Sequence, residues 1–470
     1  MVKQQNLFQL FVFSLLGMAL CPVLRAQTDD DAHFIKAIFS NCLEHQTSYQ
    51  WLEHLSEKIG HRLAGSPQSL KAIDYTHAVL DTLNTDKVWN QACTVRYWYR
   101  GASPEQVRLH KHLEHKSRHL KALALGGSGA SPKNGVTAQV IEFKSLDEAR
   151  AAGDAMKGKI VYFSRAFDQS HLRTFHAYGG AVDQRAFGPN VASKHGAVAC
   201  VVRSMGSRID DFPHTGSTIF EDGVKKIPAV ALSTRDAEFL SSLLKQGPVS
   251  LNVKTSSEDR GLQTSYSVIG EIKGSEFPNE IILVGGHLDS WDVGGGAHDD
   301  GAGCVQSMEV FELFKRLNYK PKRTLRCVLF QNEENGTAGA KAYAEWSSQQ
   351  KEFHLAAIES DAGGFTPHAF TYDADTSVLK LFTPSLGAWE SLFEPYDIKF
   401  NKGGSGADVG YLKPQKGLLL GLSPDSQRYF EYHHTDADRI TAVHPRELAL
   451  GSAAMASLVY LIDQYGLNKQ

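Results

Sequence analysis

A chain of 470 residues is longer than one hydrophobic core comfortably serves, so its length predicts two domains. With 42% hydrophobic and 21% charged residues the composition is that of a globular protein, which argues against disorder or a fibrous repeat. A formal net charge of -3 gives no cationic surface for a polyanion and argues against nucleic acid as a partner.

The chain begins with a segment that reads as a secretory signal peptide over residues 1–26. Lys3 supplies the positive end, residues 7–24 are largely apolar, and Leu24-Arg25-Ala26 precedes Gln27 and the acidic Asp29-Asp30-Asp31. Two rivals stand beside cleavage near Ala26. One is lipidation at Cys21, against which Leu20 is large. The other is an uncleaved anchor, against which the apolar run is short and broken by Gln9, Ser14 and Pro22. Cleavage makes the protein secreted or periplasmic, with no stable membrane span in the mature chain. It leaves Cys42, Cys93, Cys200, Cys304 and Cys327, with no CxxC and no even framework. Buried free thiols are therefore expected, and zinc held by thiolates is not.

Residues 66–83 read as helix and 88–98 as extended chain. The stretch HKHLEHKSRH (110–119) fits neither HExxH nor HxxEH and is dense with positive charge, so a solvated surface segment is expected. GGSGASPKNG (126–135) reads as a linker. Short apolar runs at 159–163, 197–202 and 227–232 then give the chain a β-rich character, with a helix over 234–246. From residue 262 strands and helices alternate: strands at 266–272, 281–285, 325–330 and 355–358, helices at 302–317, 338–347 and 445–465. Val305, Met308, Phe311 and Phe314 share one side of the first of these helices, and Pro445 opens the last. This alternation predicts an α/β domain with a mixed, largely parallel sheet flanked by helices. Its parts are 27–135 and 259–470, with a β-rich inserted domain over 136–258.

Acidic and imidazole side chains fall in the loops of the second part. His287 and Asp289 follow one strand, Asp299-Asp300 precede a helix, Glu333-Glu334 follow another strand, Asp361 a third, and His433-His434 lie in the last loop. Loops at the carboxyl ends of parallel strands meet on one edge of the sheet. Each piece alone has an ordinary structural explanation, such as a helix cap or a solvated charge pair. Adjacent carboxylates after a buried strand are unfavourable unless a cation neutralises them. Carboxylate and imidazole donors suit zinc, and manganese or cobalt can substitute.

GGHLDSWDVGGGAHDDGAG (285–303), QNEENGTAGA (331–340), ESDAGG (359–364) and HHTDAD (433–438) together resemble the four metal motifs of the co-catalytic two-zinc aminopeptidases and their relative carboxypeptidase Q. GHRLAGS (60–66) is similar to that family's G-x-R-x-x-G-S segment. The resemblance covers most of the mature chain and implies a zinc exopeptidase fold whose 136–258 insertion is a protease-associated domain. It implies two zinc ions per chain. His287 and Asp361 would bind one, Glu334 and His434 the other, and Asp299 would bridge them, followed by a cis peptide bond to Asp300. By the same resemblance Asp289 would hydrogen-bond His287 and Glu333 would be the general base acting on a metal-bridged water. Some aminopeptidases of this family carry Tyr before the last histidine ligand. His433 stands there in this chain, as in the carboxypeptidase Q branch, and is the candidate to assist the oxyanion. His433, Ser405 and Asp408 are the expected substrate contacts, the last two in the glycine-rich loop GGSGAD (403–408).

The activity so implied is exopeptidase cleavage of dipeptides or terminal residues of short peptides. An ordinary aminopeptidase is the alternative. A single-zinc glutaminyl-cyclase-like acyltransferase and a binding protein with a dead site are disfavoured, because all five ligand positions are filled. A homodimer is implied by the resemblance alone.

Overall fold

The computed structural model of the chain describes residues 21–111 and 117–467. Most of the expected signal segment, residues 1–20, and the centre of the His-rich stretch lie outside the described residues. Among the described residues no helix is long and apolar enough to cross a membrane.

The described residues form two eight-stranded sheets. The first runs in the order Lys87–Tyr99, Glu258–Ile272, Arg323–Phe330, Phe277–His287, Phe353–Ser360, Leu418–Pro424, Pro367–Asp373 and Lys399–Lys402. Four central strands, from Arg323–Phe330 to Leu418–Pro424, pair in parallel, and antiparallel pairings flank them. The sheet is thus mixed and flanked by helices, as the alternation predicted. Side chains alternate between its two faces. Ile282 and Val284 join one core with the helices Ala302–Arg316 and Pro445–Tyr465, whereas Leu283 packs on the other face with Tyr343 of the helix Ala338–Gln349. Burial on both faces explains why these strands read as continuous apolar runs.

Parallel pairing fixes where chemistry can gather. His287 is in register with Phe330, and Gly285 with Glu359, so the chain leaves these three strands at one edge carrying His287, Glu333 and Asp361. Three strands on the far side and the helix Thr376–Phe393 escaped the sequence reading. Pro384 and Gly387 inside that helix interrupt the helical pattern.

The second sheet runs Arg118–Leu120, Gln106–Lys111, Ser250–Lys254, Val136–Phe143, Ile160–Phe163, Ala199–Arg203, Ala229–Leu232 and Ala122–Ala124. It has its own core, with Ile160, Tyr162, Val201, Val230, Leu240 and Leu251 fully buried. The expected start at residue 136 needs correction. Three strands between residues 106 and 124 belong to this sheet, and the glycine-rich stretch before 136 is a loop within it. The strands Arg118–Leu120 and Ala122–Ala124 are three residues each, too short for an alternating pattern to register. Helices also pack on this sheet, among them Thr234–Leu244, capped by Ser233 Oγ accepting from the Asp236 amide. All five expected cysteines are buried and free.

Candidate metal centre and its surroundings

Asp299 is the hub of the sheet edge. Its Oδ1 lies 3.3 Å from His287 Nε2, which in turn is 3.4 Å from Asp361 Oδ1. Oδ2 lies 3.3 Å from His434 Nε2, which is 3.1 Å from Glu334 Oε2. The five side chains expected as ligands therefore meet as two groups sharing one carboxylate, one oxygen to each group. His433 stands beside the second group, its Nε2 3.7 Å from Asp299 Oδ2 and its ring stacked on His434 at 3.5 Å. Asp299, His433 and His434 could together hold an ion, but Glu334 is nearer to His434 Nε2 than His433 is to Asp299, which favours Glu334 as the ligand.

Proton positions follow from the neighbours. His287 Nδ1 donates to the backbone carbonyl of Asp289 at 3.0 Å, and His434 Nδ1 to the carbonyl of Thr215 at 3.2 Å. Each Nε2 then presents a lone pair to carboxylate oxygens. Acceptor facing acceptor at such distances is repulsive without a cation or extra protons between them. Asp299 Oδ2 is also buried without a hydrogen-bond donor. The donor set and its orphaned oxygen fit two zinc-like cations.

The electrostatics point the same way. Burial pushes the Glu334 carboxyl up to about 7, with Asp299 adding to the rise. Burial, with Asp361, Glu334 and Asp289 as repelling neighbours, holds Glu333 well above the usual carboxylate range.

Glu333 and Glu334 differ in exposure. Glu334 is nearly covered, whereas the Glu333 side chain keeps 22% exposure with Oε2 4.0 Å from His287 Nε2. Asp289 differs from expectation. Its carboxylate lies 3.9 Å from His287 Nδ1, too far for a hydrogen bond, and its own backbone carbonyl takes that role. The carboxylate instead accepts from the Glu333 amide at 3.0 Å. The reason is local: two residues beyond His287 the backbone carbonyl of Asp289 already meets Nδ1, so the side chain is left for the Glu333 loop.

Other residues hold this edge in shape. The bond from Asp299 to Asp300 is cis, as expected. Asp300 accepts from the amides of His287 and Gly303, both at 3.0 Å, and a Cβ at Gly286 or Gly303 would strike its carboxylate. Asp438, from the HHTDAD motif, accepts from the amides of His298 at 2.7 Å and Asp299 at 3.1 Å. Arg62, wholly buried, donates to the carbonyls of Leu288, Gly295 and Gly296 at 2.5, 2.8 and 2.9 Å, tying GHRLAGS to the first metal motif.

Two cavities adjoin the edge and share Phe175 and Asp361. A small one of about 250 Å³ holds the candidate ligands together with Tyr178, Arg185, Tyr429, Phe430 and His433. A larger one of about 770 Å³ is lined by Ser405, Arg173, His176, Lys399 and Lys402 among others. Ser405 is thus placed where substrate could touch it. Asp408 is not in either lining, and it lies 1% exposed with neither carboxylate oxygen hydrogen-bonded. Tyr178, Arg185 and Thr215 come from the second sheet's region and were missed. Nothing in their local sequence marks them, because their place depends on how the two halves pack.

Comparison with known proteins agrees with the geometry. The profile of peptidase family M28 matches residues 267–459, the stretch that carries the whole ligand set. Human carboxypeptidase Q is 32% identical over 417 residues, covering 88% of this chain and 85% of its own. A solved peptidase M28 precursor from Shewanella amazonensis superposes with a TM-score of 0.87 at 32% identity, covering 94% of this chain and 98% of that one. A zinc aminopeptidase from Bacillus subtilis shares the fold, with a TM-score of 0.63 at 19% identity over 89% of this chain and 95% of that one. The chain therefore belongs to peptidase family M28, as a metallopeptidase related to carboxypeptidase Q.

Proposed function

We propose that this chain is a two-zinc exopeptidase, a dipeptidase of the carboxypeptidase Q type, exported by its leader segment. The observation that carries the reading is the sharing of Asp299 between two imidazole–carboxylate groups, one oxygen each. His287, Asp361 and Asp299 would hold one zinc, and Glu334, His434 and Asp299 the other. Zinc bound there supplies Lewis acidity, lowering the pKa of a water to ~7 and polarising the scissile carbonyl. Glu333, open to the small cavity, accepts the proton of the attacking water and returns it to the leaving amine. Asp289 orients that base through its hydrogen bond to the Glu333 amide. The carbonyls of Asp289 and Thr215 fix the tautomers of His287 and His434. Burial, and then the neighbouring His434, hold the His433 pKa well below the ordinary imidazole value, and we assign this ring to the oxyanion.

The second-sheet region is, on this reading, a protease-associated domain that covers the metal edge. The Thr215 amide donates to the His434 carbonyl at 3.0 Å, and Ser217 Oγ donates to the Glu334 carbonyl at 2.9 Å. A covered edge with a cavity of about 250 Å³ suits a short substrate. The test combines metal analysis with turnover. Chelation should abolish hydrolysis of free dipeptides and zinc should restore it, at two equivalents per chain. Dipeptides should be cleaved faster than five-residue peptides with matching ends. Full activity in metal-free protein would refute the mechanism. Equal trimming of C-terminally amidated long peptides would make the enzyme an ordinary aminopeptidase.

A further inference from the structure

The two candidate metal positions are held differently. His287 is fixed by segments of the first sheet's half: Nδ1 donates to the Asp289 carbonyl, the amide donates to Asp300, and the carbonyl accepts from Cys304 Sγ at 3.0 Å. Glu334 and His434 are fixed from the second-sheet region as well. Thr215 meets His434 twice, its amide donating to the His434 carbonyl and its own carbonyl accepting from Nδ1. Ser217 Oγ donates to the Glu334 carbonyl. The Trp291 amide donates to Glu334 Oε1 at 3.2 Å, and the Trp291 ring centre lies 5.7 Å from that of His434. One position thus draws its support from one half, and the other draws it from both.

Arg100 ties the halves together at this point. It follows the strand Lys87–Tyr99, where the chain crosses into the second sheet, and its side chain is 12% exposed. Nε and Nη2 grip the two oxygens of Asp292, the first at 2.9 Å, and Asp292 follows Trp291 in the first metal motif. Nη1 donates to Glu105 Oε1 at 3.0 Å and to the Ala124 carbonyl at 2.7 Å, both in the second-sheet region. Nη2 also reaches Thr215 Oγ1 at 3.4 Å. Every N–H of the guanidinium is therefore used, on partners from both halves. A fork of this kind fixes direction as well as distance. A Cβ at Gly126 would strike the Trp291 ring, so the second-sheet region packs directly on that residue. The routes to the ligands are short: through Thr215 to His434, and through Asp292 and Trp291 to Glu334.

We propose that Arg100 is a positioning residue for one metal ion: by locking the second-sheet region onto the Asp292 loop it sets the affinity of the Glu334–His434 position and not that of the His287–Asp361 position. This rests on the two-zinc reading above and adds that the two positions depend unequally on the docking of the halves. The supports of a ligand govern affinity because they hold it in its coordinating orientation before the ion arrives, and losing one costs ~10- to 100-fold. Arg100 touches neither position directly, so its loss should loosen an ion without removing a ligand.

The test reads zinc affinity, by calorimetric titration of metal-free protein, in wild type, Arg100→Lys and Ser217→Ala. Arg100→Lys keeps a charge without the fork and should weaken one of two ions ~10- to 100-fold while the other keeps its affinity. Ser217→Ala removes only the hydroxyl on the Glu334 carbonyl, leaves no buried charge unpaired, and should weaken one ion by a smaller factor. Variants of single ligands identify which ion it is. Adding Arg100→Lys to Asp361→Ala should weaken the remaining ion at least ~10-fold, whereas adding it to Glu334→Gln should change the remaining ion less than ~2-fold. Zinc in excess should bring kcat of Arg100→Lys back towards wild type, a rescue that a misfolded variant would not show. Two ions of wild-type affinity in both Arg100→Lys and Ser217→Ala would overturn the proposal. Equal weakening of both ions would overturn it too, since Arg100 would then be a structural pair only. In either case two zinc ions and chelator-sensitive dipeptide hydrolysis in wild type would leave the peptidase reading standing.

Discussion

Glu309 lies on the helix Ala302–Arg316, just after the first metal motif, and its side chain has no exposure. Neither carboxylate oxygen receives a hydrogen bond of ordinary geometry, although the Ser48 amide approaches. Arg316 Nη1 is 3.7 Å away, but Arg316 gives its close ion pair, 2.9 Å, to Glu312. Burial accordingly raises the Glu309 pKa from its ordinary 4.5 to about 8. The folded state then binds a proton that the unfolded chain releases. The stability this contributes is complete below pH 4.5, declines as pH rises and is lost through pH 8. At ~1.4 kcal/mol per pKa unit the loss approaches ~3 kcal/mol at pH 7 and ~5 kcal/mol above pH 8, both upper bounds. Glu309→Gln removes the titration while keeping shape, so variant and wild type should be about equally stable at pH 4.5, and the variant more stable by a few kcal/mol at pH 9. Urea unfolding of the zinc-loaded proteins at pH 5, 7 and 9 would measure this. A difference between the two that does not grow with pH would show that Glu309 is ionised in the fold and that the reasoning is wrong.

Glu333→Gln should lower kcat by at least ~10²-fold while zinc stays near two per chain. Loss of zinc with unchanged rate per bound ion would reverse the roles of Glu333 and Glu334. His287→Ala should instead lower metal occupancy, read by elemental analysis after dialysis, and lower activity in proportion. Asp289→Asn should reduce kcat more than zinc content, because the carboxylate orients the Glu333 amide and leaves the His287 ring to a backbone carbonyl. Equal losses of both would mean that Asp289 acts on the ligand after all.

The metal half was legible because its signals are local. His287, Glu334 and Asp361 follow apolar runs and Asp299 precedes a helix, and parallel pairing brings such ends to one edge whatever the loops between them do, whereas His434 arrives from the last loop. Apolar runs such as 281–285 and 325–330 stay visible because both faces of the sheet are covered. The second half was harder to read. Its strands before residue 125 are short, and its helices alternate with them over few residues. The resemblance named the residue that meets His287 but not the atom, since a carbonyl and a carboxylate of Asp289 compete for one N–H. Arg185 carried no signal at all, for an arginine in a short polar helix is ordinarily a solvated one. Its place is set by Gly216, Thr215 and His434, which lie far from it in sequence.

The cleft is organised by charge at two levels. Asp361, Glu334 and Glu333 crowd one edge, and burial raises each of their pKa values, so a cation between them relieves repulsion that packing alone creates. Behind them Asp300 and Asp438 are spent on backbone amides, which fixes the turn that carries Asp299 before any ion arrives. Arg62 does the same for the loop ahead of it through three carbonyls. Preorganisation of this kind makes the ligand geometry a property of the fold, so loss of one ligand should reduce metal affinity without moving the others.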